Sequence, residues 1–140
     1  MPNVLNIGIT TAQSAQVGTV FPFSDTHPRS LLVQANFTYG SGGTSVDAYL
    51  QTTADGGATW IDLANFHFTT SSARKLLNLS SLTPVTSIAT PTDGSLASNT
   101  AVDGLIGSSL RIKYTTVGTY AGGTTLKIDV STVRLIPQAS

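Results

Sequence analysis

Two histidines are the side chains of this sequence best suited to proton transfer or metal binding near neutral pH. His27 precedes Pro28 in a stretch typical of a loop, and His67 lies between Phe66 and Phe68. They do not form a His-x-His or His-x-x-x-His pair, and the chain has no cysteine that could complete a zinc site. We therefore expect no metal site.

The carboxylates do not form a recognisable catalytic set. All 7 acidic residues are aspartates. Asp55, Asp93 and Asp103 stand next to glycines, as in turns, while Asp47 and Asp129 fall on outward positions of predicted strands. A glycosidase needs two converging carboxylates, and no Gly-x-Ser-x-Gly motif marks a nucleophilic serine. The sequence therefore predicts a protein that is not an enzyme.

Two glycine-rich segments also lack the signature of a cofactor site. Residues 40–43 and 118–123 do not end in Gly-Lys-Ser/Thr, and both follow strand-like sequences rather than lead into helices. We interpret them as turns between antiparallel strands, and we expect no bound cofactor.

The sequence pattern predicts that the elements carrying these residues are β-strands. Apolar residues alternate with polar ones in residues 31–39, 46–51, 110–114 and 126–130. Residues 46–51 are expected to pair antiparallel with 31–39, and residues 60–66 to return after a tight turn at Asp55-Gly56-Gly57. Glutamate is absent and helix-forming residues are few, so helices are disfavoured.

The predicted fold is all-β, a single-domain antiparallel β-sandwich or jelly-roll-like domain over residues 1–140. Two segments stand apart from its regular strands. Residues 1–20 are expected to form either an edge strand or an N-terminal arm that pairs with a partner's sheet. Residues 80–109 read as a long loop rich in Ser, Thr, Pro and Gly.

The segment Thr53–Trp60 is the sharpest local motif. It resembles the Asp-box of sialidases and related propellers, Ser/Thr-x-Asp-x-Gly-x-x-Trp. We expect Asp55 to accept hydrogen bonds within the turn, Gly57 to adopt positive φ, and Trp60 to pack over the hairpin. In the families with this motif the box is structural, so these three residues are predicted to stabilise a turn.

Composition excludes several classes of partner. The 140 residues include 7 Lys and Arg against 7 Asp and Glu, and charged residues make up only 10% of the chain. Such a chain lacks the basic surface of a nucleic-acid or anionic-membrane binder, and no apolar run is long enough for a membrane helix. We therefore expect neither nucleic acid nor membrane as a partner.

Two stretches resemble a family. Residues 55–70 (DGGATWIDLANFHFTT) and 111–130 (RIKYTTVGTYAGGTTLKIDV) are similar to small virion-associated proteins of tailed bacteriophages. The resemblance implies a capsid decoration (cement) protein that stabilises the head shell. It also implies binding to the major capsid protein, assembly as a homotrimer, and a place on the capsid surface after assembly in the host cytoplasm.

Two groups of residues are the expected contacts with the capsid or another partner. The first is the apolar N-terminal set Val4, Leu5, Ile7 and Ile9, and the second is the only basic pair, Arg74 and Lys75.

Two other functions are consistent with the sequence. One is a neck or tail component of the particle. The other is a receptor- or carbohydrate-binding β-sandwich of a head or tail fibre, in which Tyr39, Tyr49 or Tyr120 would stack on sugar rings.

Overall fold

The computed structural model describes residues 3–9, 12–23, 28–80 and 84–134, and its regular elements are all strands. In chain order they are β1 (Asn3–Gly8), β2 (Gln13–Val17), β3 (Phe21–Pro22), β4 (Pro28–Thr38), β5 (Ser41–Gly42), β6 (Ser45–Thr53), β7 (Ile61–Phe68), β8 (Ala73–Ser80), β9 (Ser109–Val117), β10 (Tyr120–Ala121) and β11 (Thr125–Arg134).

The strands form two main sheets. The first has the order β1-β11-β4-β8, and the second has the order β2-β9-β6-β7, with β3 also pairing with β9. All of these pairings are antiparallel. The sheets pack face to face, so the predicted all-β, antiparallel β-sandwich is confirmed.

The core lies between the two sheets and is built from the predicted alternation. One face of β4 and β11 buries branched and aromatic side chains against the inner face of β6 and β9. Phe37 of β4 stacks on Phe68 of β7 with ring centroids 5.0 Å apart, which ties the sheets together near the β7–β8 connection. The central buried residues are Leu31, Val33, Ala35, Phe37, Val46, Ala48, Leu50, Leu110, Ile112, Leu126, Ile128 and Val130.

The two glycine-rich turns do not join paired strands, so that prediction is wrong. β4 and β6 lie in different sheets, as do β9 and β11. Each turn carries the chain from one sheet to the other, and the two corners pair through β5 and β10. A Cβ on Gly40 would lie 2.4 Å from the carbonyl oxygen of Ala121, so glycine is needed where the corners meet.

The N-terminal residues belong to the sandwich. β1 pairs with β11 at one edge of the first sheet, and β2 pairs with β9 at one edge of the second. Leu5 and Ile9 are only 6% and 3% exposed in the core, and Ile7 packs against it. The prediction that Leu5 and Ile9 contact a partner is therefore wrong, because the chain's own core takes up both side chains. The Val4 side chain and residues 1, 2, 10 and 11 of the predicted arm lie outside the described residues.

The connection between β8 and β9 packs along β7. Its described part, residues 84–108, forms only an isolated bridge between Ala64 and Ala101. Asn65 N–H donates to the carbonyl of Thr100, and Val102 N–H donates to that of Leu63. This covering segment, residues 84–108, therefore caps the outer edge of β7 and lies over the outer face of the second sheet.

Candidate functional site

The Thr53–Trp60 turn is held by the side chains that its motif contains. Asp55 accepts from the backbone N–H and hydroxyl of Thr59 at 2.9 and 2.5 Å, and from the hydroxyl of Thr53. These bonds, those from Thr59 first, lower the pKa of Asp55 to about 2. Gly57 has φ +101°, and Trp60 Nε1 donates to its carbonyl. The hydrogen-bonding groups of Asp55 and Trp60 are satisfied within the turn, which fits a structural role.

A buried carboxylate anchors the covering segment to β7. Asp62 is 4% exposed and accepts from the backbone N–H groups of Gly94, Ser95 and Leu96 at 2.8 to 3.1 Å. The hydroxyl of Thr92 also donates to it at 2.8 Å. Because every contact satisfies a donor of the chain itself, Asp62 holds the segment in place.

A second polar chain extends from Asp62 across the outer face of the second sheet. Gln51 Nε2 donates to Asp62 and to Asp93, and its Oε1 accepts from Arg111. Burial opposes ionisation of Asp93, but hydrogen bonds from Gln51 and Lys113 outweigh it, so the pKa of Asp93 lies below its usual range. These side chains fix the segment to β6 and β9.

A polar cluster lies where β7 approaches β8. His67 Nδ1 is 2.8 Å from Asp47 Oδ1, and Asn65 Nδ2 donates to Asp47 and to the carbonyl of Leu96. Since both of these partners are acceptors, the orientation of the Asn65 amide is fixed. Its Oδ1 is buried and has no hydrogen-bond partner among the described residues.

Lys75 connects the two sheets at this cluster. It lies on an inward position of β8, opposite Ala35 of β4. Its ammonium group donates to the His67 carbonyl and, at 2.9 Å, to Asn99 Oδ1. It also lies 5.0 Å from the centre of the Phe68 ring. Among the described residues no carboxylate forms a salt bridge with Lys75 or with exposed Arg74.

A groove of about 440 Å³ opens between β8 and the covering segment. Its walls combine apolar side chains with the amides and the cation of the polar cluster. The lining residues are Asn65, Phe66, Lys75, Leu76, Leu77, Asn99, Thr100 and Ala101. Apart from Lys75, sequence reasoning missed this site, because its residues come from three separate parts of the chain.

The tyrosines expected to stack on sugars are not available for stacking. Tyr49 and Tyr120 are buried, and burial raises the pKa of both phenols. Tyr39 is half-buried, packs edge-on against Tyr120 and donates its hydroxyl to the Gly42 carbonyl. The structure therefore gives the carbohydrate-binding alternative no exposed aromatic platform at these positions.

The described residues contain no group of three His or Asp side chains placed to hold a metal ion, while His27 lies outside the described residues. They also contain no helix long and apolar enough to cross a membrane. Comparison of the chain with protein-family models, with curated proteins and with solved structures gave no match in any of the three.

Proposed function

We propose that the protein is a structural component of a tailed-phage particle, and specifically a capsid decoration protein that binds the major capsid protein as a homotrimer. The observation that carries this proposal is a set of apolar side chains exposed on a surface with few charges. Leu32 and Leu76 are 46% and 50% exposed, and Ile88 in the covering segment is fully exposed.

Leu32 and Leu76 lie together on the outer face of the first sheet. Leu32 pairs with Asn78 and Leu76 with Gln34, so the two leucines are diagonal neighbours on adjacent strands. Exposed Asn36 lies on the same face, with the charged Arg74 and Lys127 beside it on the neighbouring strands. Apolar and amide groups can be buried against a protein partner without the desolvation cost of unpaired charges. The face therefore suits contact with a large protein surface, such as a capsid lattice, that covers the two leucines and supplies acceptors for Arg74 and Lys127.

The first test is the copy number of the protein in purified particles of the phage that encodes it, by quantitative mass spectrometry against the major capsid protein. A number comparable with that of the major capsid protein supports a decoration role. A few copies per particle would assign the protein to the neck or tail, and its absence from particles would overturn the proposal.

The second test measures binding to expanded heads that lack the protein, by co-sedimentation. We expect Leu32→Ser and Ile88→Ser to weaken binding by about tenfold each, which corresponds to about 1.4 kcal/mol of lost apolar burial. Ala58→Ser, in the exposed part of the Thr53–Trp60 turn, is the matched control and should bind like the unaltered chain. Equal binding by all variants would show that these leucine and isoleucine side chains do not contact the capsid.

A further inference from the structure

We infer that the groove beside β8 binds an extended peptide segment of a partner protein, which adds a strand to the first sheet and carries an acidic residue near Arg74 and Lys75. Such a segment would bind there whether or not the chain is part of a phage particle.

The free edge of β8 supplies the backbone groups for this pairing. Among the described residues β8 is the last strand of the first sheet. Its Ser80 N–H points away from β4, because it donates to Asp103 Oδ1 at 2.6 Å. N–H direction alternates along an antiparallel strand, and the β4–β8 register has no bulge. The N–H and C=O groups of Arg74, Leu76 and Asn78 therefore face the open edge.

The length of the free edge limits the length of the segment. Asp103 already occupies the edge at Ser80, so the open stretch runs from Arg74 to Asn78. At about 3.3 Å per residue, these five positions span about 16 Å. This is the length of a short strand rather than of a full sheet edge, and it favours a peptide segment over a globular partner.

The groove supplies complementary side-chain surface. Leu76 is half-exposed beside Leu77 and Ala101, so apolar side chains of the segment would remove apolar area from water. Asn65 also lines the groove, and its Oδ1 is a buried acceptor with no partner among the described residues. Because an unpaired buried acceptor is unfavourable, a donor from the segment that reaches it would be favoured.

Charge determines the kind of segment that fits. Arg74 and Lys75 are consecutive residues at one end of the open edge, with Lys75 on the inward face of β8 and Arg74 on the outward face. Neither forms a salt bridge among the described residues. The one carboxylate of the polar cluster, Asp47, is taken up by His67 and Asn65. An aspartate or glutamate of the incoming strand would supply the missing anion, so we assign the groove to segments that alternate apolar and acidic residues.

The experiment is a selection of random dodecapeptides, displayed on yeast, against the intact chain. We expect enriched peptides that combine alternating apolar residues with an acidic residue, and that shift the NMR amide signals of Arg74, Leu76 and Asn78. Leu76→Pro should weaken their binding by at least about tenfold, because proline removes a donor at the open edge while the β4 pairing stays intact. Leu76→Val, which keeps the N–H and an apolar side chain, is the matched control.

A second variant guards against misfolding of the proline variant. Ala101→Glu places a negative charge on the opposite wall of the groove without altering β8, and it should repel the same acidic peptides. The absence of enriched peptides would overturn the inference, as would peptides that bind both variants as well as the unaltered chain or show no preference for acidic residues. If the chain forms a dimer in the absence of peptide and Leu76→Pro disrupts that dimer, a second copy of the chain occupies the edge instead.

Discussion

Removal of the Asp62 carboxylate should detach the covering segment from the second sheet. Asp62 is 4% exposed, and its oxygens accept from Gly94, Ser95 and Leu96 N–H and from the side chains of Thr92 and Gln51. Alanine at this position leaves the three N–H groups and the Thr92 hydroxyl without this acceptor, whereas Gln51 loses one of its two bonds and keeps the one to Asp93. The segment would then lose its main attachment between Pro91 and Asn99.

The magnitude follows from the donors that lose their partner. A buried donor left unpaired costs about 1–3 kcal/mol. The residues of the segment are half-buried or exposed, so water can replace part of what is lost and the lower end of that range applies. Three backbone donors at about 1 kcal/mol each, together with the Gln51 and Thr92 bonds, give an expected loss of about 3–5 kcal/mol for Asp62→Ala. Asp62→Asn keeps one acceptor oxygen and should lose about 2–3 kcal/mol.

The assay is urea unfolding monitored by the fluorescence of Trp60, the single tryptophan of the chain, with NMR hydrogen exchange at Gly94, Ser95 and Leu96. Asp103→Asn is the matched control, since Asp103 also accepts backbone N–H groups, from Ser80 of β8 and from Gly104 of the segment, but is exposed. Its effect should stay within about 1 kcal/mol. A loss below about 1 kcal/mol for Asp62→Ala, or exchange at the three amides that is unchanged by it, would refute the reasoning.

Three further perturbations test separate parts of the sandwich. The pKa of Asp55 is about 2 in the folded chain and about 3.8 in the unfolded one. The contribution of Asp55 to the free energy of unfolding is therefore complete above about pH 4 and is lost as pH falls towards 2. Unfolding curves of Asp55→Asn should lack that part of the pH dependence. Gly40→Ala drives a Cβ into the carbonyl of Ala121 and should destabilise by about 2–4 kcal/mol in thermal unfolding, whereas Gly8→Ala, with open space at Cβ, should cost less than about 1 kcal/mol. Leu5→Ala should destabilise by about 2–5 kcal/mol, and an unchanged stability would show that β1 does not belong to the core.

The fold class could be predicted from sequence because alternation reports directly which face of a strand is buried. The alternating apolar residues are buried as their pattern indicates: Leu31, Val33, Ala35 and Phe37 of β4, and Leu126, Ile128 and Val130 of β11. Alternation does not report which strand lies alongside. The pairing of β4 with β11 and β8, rather than with β6, depends on contacts between residues far apart in sequence. A glycine-rich corner between sheets and a hairpin turn use the same residue types, so sequence alone did not separate them.

The candidate site could not be predicted from the sequence, because it too depends on contacts between residues far apart in the chain. Gln51, Asp62 and Asn65 are polar residues in predicted strands, which favours exposure to water. They are buried because a segment some 30 residues further along the chain supplies donors and acceptors for them. Sequence could not place Leu5 and Ile9 in the core, because Leu5, Ile7 and Ile9 share one face whether that face meets a partner or the chain's own core.

The two sheets differ in what covers them, and this difference limits where a partner can bind. On the second sheet the covering segment and its hydrogen bonds to Asp62 occupy part of the outer face and the free edge of β7. On the first sheet the outer face keeps Leu32 and Leu76 exposed, and no described strand pairs with the edge of β8 from Arg74 to Asn78. Asp62 links the two regions, because the segment it anchors also forms the groove wall opposite β8. Loss of that anchor should therefore weaken peptide capture at β8 even though Asp62 does not line the groove, whereas Leu76→Pro should abolish capture and leave the amides of the covering segment protected.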